Sequence, residues 1–313
     1  MDENNTTPVF LFTGFVESGK TTMIKNWLVQ DYFREQPKIA LIVCEDGFTE
    51  FDHLDKNVEL FMVENKEDFN EEFLEDIENN HTPTAIIIEH NCMASVNDIM
   101  SFDWPENWEL VEVSAIANAQ IFQNQMKNMY AVMSEQIKYA STVVFNRCDE
   151  NTSKLQLRGL VKAVNPEASL LFIDKNGNAD ESLDELPFDI NAPVIKIEDI
   201  DYGLWFIDIF DNPQNYDGKT VQFKGKVAKP KGYPDNSFLT GRYAMTCCAN
   251  DMAYLKLLCI TEGRANVKVD EWVTVTAGVQ ICQPKGMDEP SPVFYVKSVQ
   301  KAEAPESEYV FFS

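Results

Sequence analysis

A glycine-rich turn followed by lysine and threonine stands near the start of the chain, in the stretch FLFTGFVESGKTTMIKNWL. Its core has the spacing G-x-x-x-x-G-K-[ST], and an apolar run leads into it. In this pattern the glycines let backbone N–H groups converge on phosphate oxygens, the lysine reaches the β- and γ-phosphates, and the threonine hydroxyl binds Mg²⁺. The helix that follows points its N-terminus at the anion. The nucleotide-binding candidates in this turn are Gly14, Glu17, Ser18, Gly19, Lys20, Thr21 and Thr22.

Two acidic residues end apolar runs and are candidates for the chemistry around a bound Mg²⁺, which prefers carboxylates and water beside phosphates. Glu89 closes AIIIE, where an acid is expected to hold the metal together with Thr21. Glu45 closes KIALIVCE, and we expect it to orient either a Mg²⁺-bound water or the attacking water. For both, a strand-end acid in solvent is the alternative. The catalytic candidates are therefore Lys20, Glu89 and Glu45.

A third segment, STVVFNRCDE, indicates which base the bound nucleotide carries. It contains Asn146, Arg147 and Asp149 in the spacing N-R-x-D, directly after an apolar run. Guanine presents adjacent N–H donors that one carboxylate accepts as a pair, whereas adenine leaves that carboxylate unpaired. An arginine guanidinium stacks on a purine in place of the usual lysine stem. The sequence therefore predicts GTP, with Asp149 reading the base and Asn146 tying this loop to the phosphate turn.

The first two hundred residues alternate apolar runs with helical patterns, which predicts an α/β P-loop NTPase domain with a mostly parallel sheet and helices on both faces. Several runs are continuously apolar, as strands buried on both faces are. The predicted strands cover residues 9–14, 38–45, 58–64, 84–90, 108–115, 141–147 and 168–174. The predicted helices cover residues 20–32, 66–79, 117–139 and 152–164.

The pattern changes near residue 200, where a short apolar helix is followed by a Pro/Asn/Asp/Gly turn cluster and then by five β-like runs. Five short strands in about ninety residues predict a small all-β barrel of the OB type. We therefore predict a GTPase domain over residues 1–198 and an OB-like barrel domain with a leading helix over residues 199–313. The tail, AEAPESEYVFFS, is expected either to dock or to fray.

Negative charge is concentrated in the first two thirds of the 313-residue chain, whose net charge is −25. Residues 213–313 carry 12 Lys+Arg and 11 Asp+Glu, so residues 1–212 carry 14 and 40. An acidic surface repels nucleic acid and anionic lipid, so neither a nucleic-acid partner nor direct membrane insertion is expected. The acidic N-terminus lacks a signal-peptide pattern, and a cytoplasmic location is expected.

Seven cysteines with irregular spacing favour reduced thiols, and only Cys247 and Cys248 are adjacent. Together with Asp251 they offer two thiolates and a carboxylate to Zn²⁺, which needs a fourth ligand. On a strand, however, adjacent side chains face opposite sides, so this site requires a bend or bulge. Two small apolar residues near a barrel wall are the alternative.

Residues 8–190 resemble the CobW-like GTPases, which are grouped with the HypB, UreG and MeaB metallochaperone-type proteins. GFVESGKTT, IIIEHNC and EQIKYASTVVFNRCDE carry the resemblance. It implies a nucleotide-gated switch with slow Mg²⁺-dependent GTP hydrolysis, a role in metal homeostasis or delivery to a metal-requiring protein, and a nucleotide-dependent homodimer.

The sequence departs from that family at three places. Glu17 stands where members commonly have glycine, and Cys92 replaces the glycine of an E-x-x-G segment. The C-x-C-C metal motif is absent from the stretch after Glu45, which reads HLDKNVELFMVENKEDF. Glu17 and Cys92 favour an alternative function, a GTP-dependent adaptor that does not hydrolyse the nucleotide, whereas the missing C-x-C-C motif argues against metal transfer from inside the GTPase domain.

Residues 210–300 resemble the C-terminal soluble domain of YcgQ-type membrane proteins, through Y-x-G-K-x-V and MTCCAND. Those proteins accompany predicted permeases. The resemblance implies that the barrel docks a membrane permease or another protein partner.

Overall fold

The computed structural model describes residues 6–44, 51–92, 94–182, 186–245, 252–283 and 290–310. The chain forms two compact units. The first comprises Met1–Thr152 and Val164–Ser182, and the second comprises Ser153–Ala163 and Leu183–Ser313. The sequence-based boundary between residues 198 and 199 stays a prediction. Within the described ranges, no helix combines the length and apolar character needed to cross a membrane.

The first unit is built on a seven-stranded sheet in the order β3-β2-β4-β1-β5-β6-β7, in which each pair of neighbours is parallel. The strands are β1 Thr7–Thr13, β2 Ile39–Val43, β3 Val58–Met62, β4 Ala85–Glu89, β5 Trp108–Asn118, β6 Thr142–Cys148 and β7 Ser169–Asp174. All residues of β2 and β4 are buried, which explains their unbroken apolar sequences. The helices are α1 Lys20–Leu28, α2 Asp31–Arg34, α3 Glu71–His81, α4 Val96–Met100, α5 Phe122–Asn128 and α6 Tyr130–Lys138.

Buried side chains form separate clusters in this unit, as expected for a sheet covered on both faces. One contains Val9, Leu11, Leu74 and Ile77, and another contains Phe12, Ile24 and Leu41. Adjacent residues of β1 thus belong to different clusters, because side chains alternate across a strand. The sheet places the ends of β1, β4, β5 and β6 side by side, where the candidate residues follow them.

The second unit contains a closed five-stranded barrel. Its strands are β9 Thr220–Ala228, β10 Ser237–Met245, β11 Met252–Ile260, β12 Trp272–Cys282 and β13 Ser291–Lys301. They pair in the order β9-β10-β11-β13-β12, and β12 returns to β9. The pair β11–β13 is parallel, and the other four pairs of the ring are antiparallel.

The barrel core is aromatic and closed by a helix of the same unit. This unit also contains α7 Lys154–Val164, the short strand β8 Ile195–Lys196, α8 Tyr202–Asp211 and the short strand β14 Tyr309–Val310. Trp205 of α8 is fully buried, with its ring centroid 4.9 Å from Phe223 and 6.0 Å from Phe294. Alternating burial along β9 presents every second residue to this core. The predicted fold class, an α/β P-loop domain followed by an OB-like barrel, is confirmed.

Candidate functional site

The phosphate turn joins β1 to α1 and needs its two glycines for steric reasons. Gly14 has φ 138°, and a Cβ there would lie 2.2 Å from the carbonyl oxygen of Ile116. Gly19 has φ 104°, and a Cβ there would lie 2.4 Å from Nδ2 of Asn146. A larger residue would therefore have to displace the backbone at Ile116 or the side chain of Asn146 near the end of β6. Gly19 also caps the N-terminus of α1, which begins at Lys20.

Lys20 is folded into the turn. Its side chain is 3% exposed, and Nζ donates hydrogen bonds to the carbonyl oxygens of Gly14 at 2.7 Å and Phe15 at 3.0 Å. Both acceptors belong to the loop that would surround the phosphates. The ammonium group is therefore positioned beside the expected β- and γ-phosphates.

Thr21 and Glu89 meet at the start of α1 and the end of β4. The hydroxyl Oγ1 of Thr21 donates to Oε1 of Glu89 at 2.7 Å, and Glu89 is 4% exposed. Parallel pairing of β1 with β4 puts Phe12 opposite Glu89, which fixes where the carboxylate emerges. A hydroxyl and a carboxylate at the phosphate turn form an oxygen donor set of the kind Mg²⁺ takes.

Three buried polar atoms around the turn have no hydrogen-bond partner among the described residues: Oγ1 of Thr13, Oγ of Ser18 and Oδ1 of Asn146. Buried polar groups are almost always paired, so their convergence here fits a polar ligand. Together with the two glycines, this makes the turn suitable for a nucleotide and its Mg²⁺. Thr22 is exposed on the first turn of α1.

The last residues of β6 are held against the phosphate turn. Nδ2 of Asn146 donates to the carbonyl oxygen of Ser18 at 2.5 Å. Arg147 adopts a left-handed conformation with φ 58°, and its guanidinium donates to the carbonyl oxygen of Glu17 at 3.1 Å. Two hydrogen bonds therefore hold the guanine-motif candidate against the turn.

Asp149 is exposed, and its carboxylate is oriented by its own loop. Oδ1 accepts from the backbone N–H of Asn151 at 2.9 Å and from Oγ1 of Thr152 at 3.2 Å. Hydrogen bonds from Asn151 first, then from Gln120, hold the pKa of Asp149 below its usual value. The carboxylate is thus charged at neutral pH, as pairing with guanine requires.

Gln120 contacts this part of the site, although no motif in the sequence pointed to it. Its Nε2 donates to the carbonyl oxygen of Arg147 at 3.1 Å and to Oγ1 of Thr152 at 3.2 Å. It stands just beyond β5, outside any recognisable motif, so only the folded arrangement reveals it. A cavity of about 300 Å³ lies beside Asp149 and is also lined by Asp174, Lys175 and Asn176.

Glu17 occupies an unusual backbone conformation. It has φ 61°, in the left-handed region that favours glycine, and its side chain is exposed. The family's glycine at this position therefore has a conformational explanation. Arg147 contacts the backbone carbonyl of Glu17, so the hydrogen bond between the turn and the end of β6 does not depend on which side chain stands at position 17.

His90 directly follows Glu89 and is 1% exposed. Burial lowers its pKa to about 4, with a further contribution from the positive charge of Lys20. The imidazole is therefore neutral at physiological pH. Its backbone N–H donates to the carbonyl oxygen of Phe12 at 2.9 Å, which ties the segment after Glu89 to β1.

The remaining candidates, Glu45, Cys247, Cys248 and Asp251, lie outside the described residues. Within the described part of the chain, no group of three or more His, Cys, Asp and Glu side chains is placed to hold a metal ion. The structure thus places five of the predicted site residues at or against the phosphate turn, with Asp149 on the loop that follows β6. The five are Lys20, Thr21, Glu89, Asn146 and Arg147.

Comparison with solved structures finds distant likenesses. One is zinc-bound YjiA GTPase from E. coli, with 18% identity and a TM-score of 0.44, covering 76% of this chain and 86% of that one. Another is the hydrogenase maturation factor HypB from Archaeoglobus fulgidus, with 18% identity and a TM-score of 0.34, covering 56% and 83%. No curated protein matches the sequence.

Family models account for nearly the whole chain. Residues 173–312 match the DUF1980 C-terminal domain. Residues 8–172, more than half of the chain, match the nucleotide-binding domain of CobW/HypB/UreG. The resemblance to CobW-like proteins predicted from the sequence is confirmed. The chain therefore belongs to the CobW/HypB/UreG family and is a P-loop, GTP-binding protein of that type.

Proposed function

We propose that this protein binds GTP with Mg²⁺, hydrolyses it slowly, and uses its nucleotide state as a switch in metal homeostasis or delivery. The observation that carries the proposal is the 2.7 Å hydrogen bond between Thr21 and Glu89. It joins the hydroxyl of the phosphate turn to a buried carboxylate at a strand end. Asn146 and Arg147 support the proposal, because they hold the guanine motif against the same turn.

Each side chain has a distinct task in this proposal. The ammonium of Lys20 stabilises negative charge on the transferring phosphoryl group. Thr21 and Glu89 hold the metal and its water shell, and the bound Mg²⁺ supplies charge neutralisation at the β- and γ-phosphates. Glu45 orients the attacking water. Asp149 pairs with the guanine N–H donors.

The test is single-turnover GTP hydrolysis in Mg²⁺ by the wild-type protein and by Lys20→Ala. Lys25→Ala is the matched control, since Lys25 lies on the same helix but pairs with Asp52 at 2.9 Å in an exposed ion pair. We expect Lys20→Ala to lose turnover while thermal unfolding shows a retained fold, and Lys25→Ala to keep it. Unchanged turnover in Lys20→Ala contradicts the proposal.

A second candidate is a GTP-dependent adaptor that leaves the nucleotide intact and whose barrel docks a membrane permease or another protein. The exposed carboxylate of Glu17 favours it, because a negative charge beside the phosphates opposes the charge that develops during hydrolysis. The same assay separates the candidates. Bound GTP stays intact in an adaptor and is converted to GDP by a hydrolase.

The proposed switch includes a zinc site at Cys247, Cys248 and Asp251, a nucleotide-dependent homodimer and a cytoplasmic location. The zinc site is tested by competition titration of Zn²⁺ into the reduced protein, with and without Mg²⁺ and a non-hydrolysable GTP analogue. We expect Cys247→Ser to abolish tight binding and Cys282→Ser, a cysteine on β12, to retain it. If the wild-type protein does not bind Zn²⁺ tightly, the cysteine pair has a structural role. The GTP-dependent switch then acts through contact with a partner protein.

A further inference from the structure

Three hydrogen bonds meet at the hydroxyl group of Thr152, on the loop that carries Asp149. Oγ1 of Thr152 accepts from the backbone N–H of Asp149 at 2.9 Å and from Nε2 of Gln120 at 3.2 Å. A threonine hydroxyl has two acceptor lone pairs and one O–H donor. Because both acceptor positions are taken, the O–H is left to donate to Oδ1 of Asp149 at 3.2 Å. Gln120 thereby fixes the direction of the hydrogen bond from Thr152 to the carboxylate.

The amide of Gln120 also acts on the backbone of the guanine-motif candidate. Nε2 donates to the carbonyl oxygen of Arg147 at 3.1 Å, and Arg147 has φ 58°. This left-handed conformation is unfavourable for a residue other than glycine, and it persists where neighbouring contacts hold it. Arg147 lies between Asn146, which donates to the carbonyl oxygen of Ser18, and Asp149, which lines a cavity of about 300 Å³. The hydrogen bond from Gln120 therefore supports the backbone that joins the phosphate turn to the base-reading candidate.

The position of Gln120 is itself set by the end of β5. Its backbone N–H donates to Oδ1 of Asn118 at 3.0 Å, and the N–H of Ala119 donates to the carbonyl oxygen of Asn146 at 3.1 Å. Asn118 is also paired with Asn146 in the parallel register of β5 and β6. Two neighbouring strands of the sheet thus hold the amide in place. A group that is held in advance costs little further ordering when a ligand binds.

We propose that Gln120 is a positioning residue that sets the preference for guanine. It acts by holding the Thr152 hydroxyl and the Arg147 carbonyl, and through them the carboxylate of Asp149. Guanine offers adjacent N–H donors that must meet one carboxylate in a fixed orientation, and the hydrogen bonds from Gln120 restrict that orientation before the base binds. This inference rests on the proposed function, because it requires that Asp149 reads a guanine base.

The test measures equilibrium binding of GTP, ATP and inorganic triphosphate, each with Mg²⁺, to the full chain and to Gln120→Ala. Inorganic triphosphate can occupy the phosphate turn but carries no base. We expect Gln120→Ala to lose about 3- to 10-fold in GTP affinity, the equivalent of one hydrogen bond, and to keep its affinity for ATP and triphosphate. Gln300→Ala, at an exposed glutamine of β13, is the matched control and should bind like the wild type. An equal loss for all three ligands would indicate a disturbed phosphate turn and overturn the proposal.

Substitutions of Thr152 test the route through its hydroxyl. Thr152→Ser keeps the hydroxyl and should keep the GTP affinity, whereas Thr152→Val removes it and should lower the GTP affinity as Gln120→Ala does. Gln120→Glu keeps the length of the side chain but places a negative charge against the carbonyl oxygen of Arg147, so it should lose more GTP affinity than Gln120→Ala. An equal loss in Thr152→Ser and Thr152→Val would contradict the assignment.

The nucleotide preference of the wild type distinguishes failure of this inference from failure of the proposed function. A wild type that binds GTP and ATP equally contradicts the reading of guanine by Asp149, and the role of Gln120 is then wrong as well. A wild type that prefers GTP, together with a Gln120→Ala variant that keeps the whole preference, overturns the role of Gln120 alone and leaves the proposed function unaffected.

Discussion

The hydroxyl of Thr21 lies 2.7 Å from a carboxylate oxygen of Glu89, although 68 residues separate the two along the chain. Thr21 stands on the first turn of α1, and Glu89 is the last residue of β4. Parallel pairing of β4 with β1 brings them together, because the phosphate turn leaves β1 at the edge of the sheet where β4 ends. Pairing of neighbouring strands therefore determines the geometry of the proposed metal site.

Replacing Glu89 by glutamine should weaken Mg²⁺ binding more than nucleotide binding. The amide still accepts from Thr21 but loses the charge that holds the metal's water shell. We expect Mg²⁺ affinity, measured through the Mg²⁺ dependence of single-turnover hydrolysis, to fall about 10- to 100-fold. Glu112→Gln on β5, which pairs with the other side of β1, is the control, since Glu112 contacts Ser114 within its own strand. Equal Mg²⁺ dependence in wild type and Glu89→Gln would show that Glu89 is only a strand-end acid.

Two substitutions of Glu17 separate its charge from its conformation. Glu17→Gly and Glu17→Ala both remove the negative charge beside the turn, so both should raise nucleotide affinity to a similar extent. Only glycine relieves the left-handed backbone at φ 61°, and it should be more stable than the alanine variant by about 1 kcal/mol in urea unfolding. Equal stabilities would mean that this conformation costs nothing in solution.

The ion pair between Asp199 and Arg242 contributes to the stability of the second unit, and substitution of Asp199 tests that contribution. Arg242 is 2% exposed and its guanidinium is paired with the carboxylate of Asp199, which Lys224 also contacts at 2.7 Å. Asp199→Ala leaves a buried cation without its partner, and we expect a loss of about 2 kcal/mol in unfolding free energy, discounted because Asp199 is partly exposed. Glu308→Ala removes an exposed partner of Lys226 in the same unit and should change nothing measurable.

The same pair predicts a pH dependence. Burial opposes ionisation of Asp199, but hydrogen bonds from Lys224 and Arg242 outweigh it, so the pKa of Asp199 lies below its usual value. A lowered pKa stabilises the fold above the unfolded-state pKa, and this contribution is lost as pH falls through the folded-state pKa. The stability difference between wild type and Asp199→Asn should therefore be full at neutral pH and shrink in acid. A constant difference at all pH values would exclude the ion pair as its source.

The main features of the fold were predictable because they depend on local patterns. Continuous apolar runs indicated buried parallel strands, and the chemistry-bearing residues follow those runs directly. The five runs after residue 220 correspond to the five strands of the barrel. Since the carboxyl ends of parallel strands share one edge of a sheet, the proximity of Thr21 and Glu89 follows from the same patterns.

Other features depend on tertiary context and were missed. The predicted helix over residues 117–139 is wrong at its start, because β5 continues to Asn118, which pairs with Asn146. The helix is also interrupted at Met129, with φ −133° and ψ 40°, so it becomes α5 and α6. In the tail, Tyr309 pairs with Tyr243 as part of the short strand β14, so of the two expected outcomes, docking or fraying, this part of the tail docks. The periodicity of apolar residues along the sequence carries no information about such long-range strand pairing.

The most direct test of the account is nucleotide competition with GTP, ATP and xanthosine triphosphate, in Mg²⁺, on wild type and Asp149→Asn. Xanthine carries a carbonyl where guanine has its amino group, so an asparagine amide suits xanthine and opposes guanine. We predict that the wild type prefers GTP over ATP by about 100-fold or more, and that Asp149→Asn prefers xanthosine triphosphate. Equal binding of ATP and GTP by the wild type, with no change in Asp149→Asn, would contradict the account.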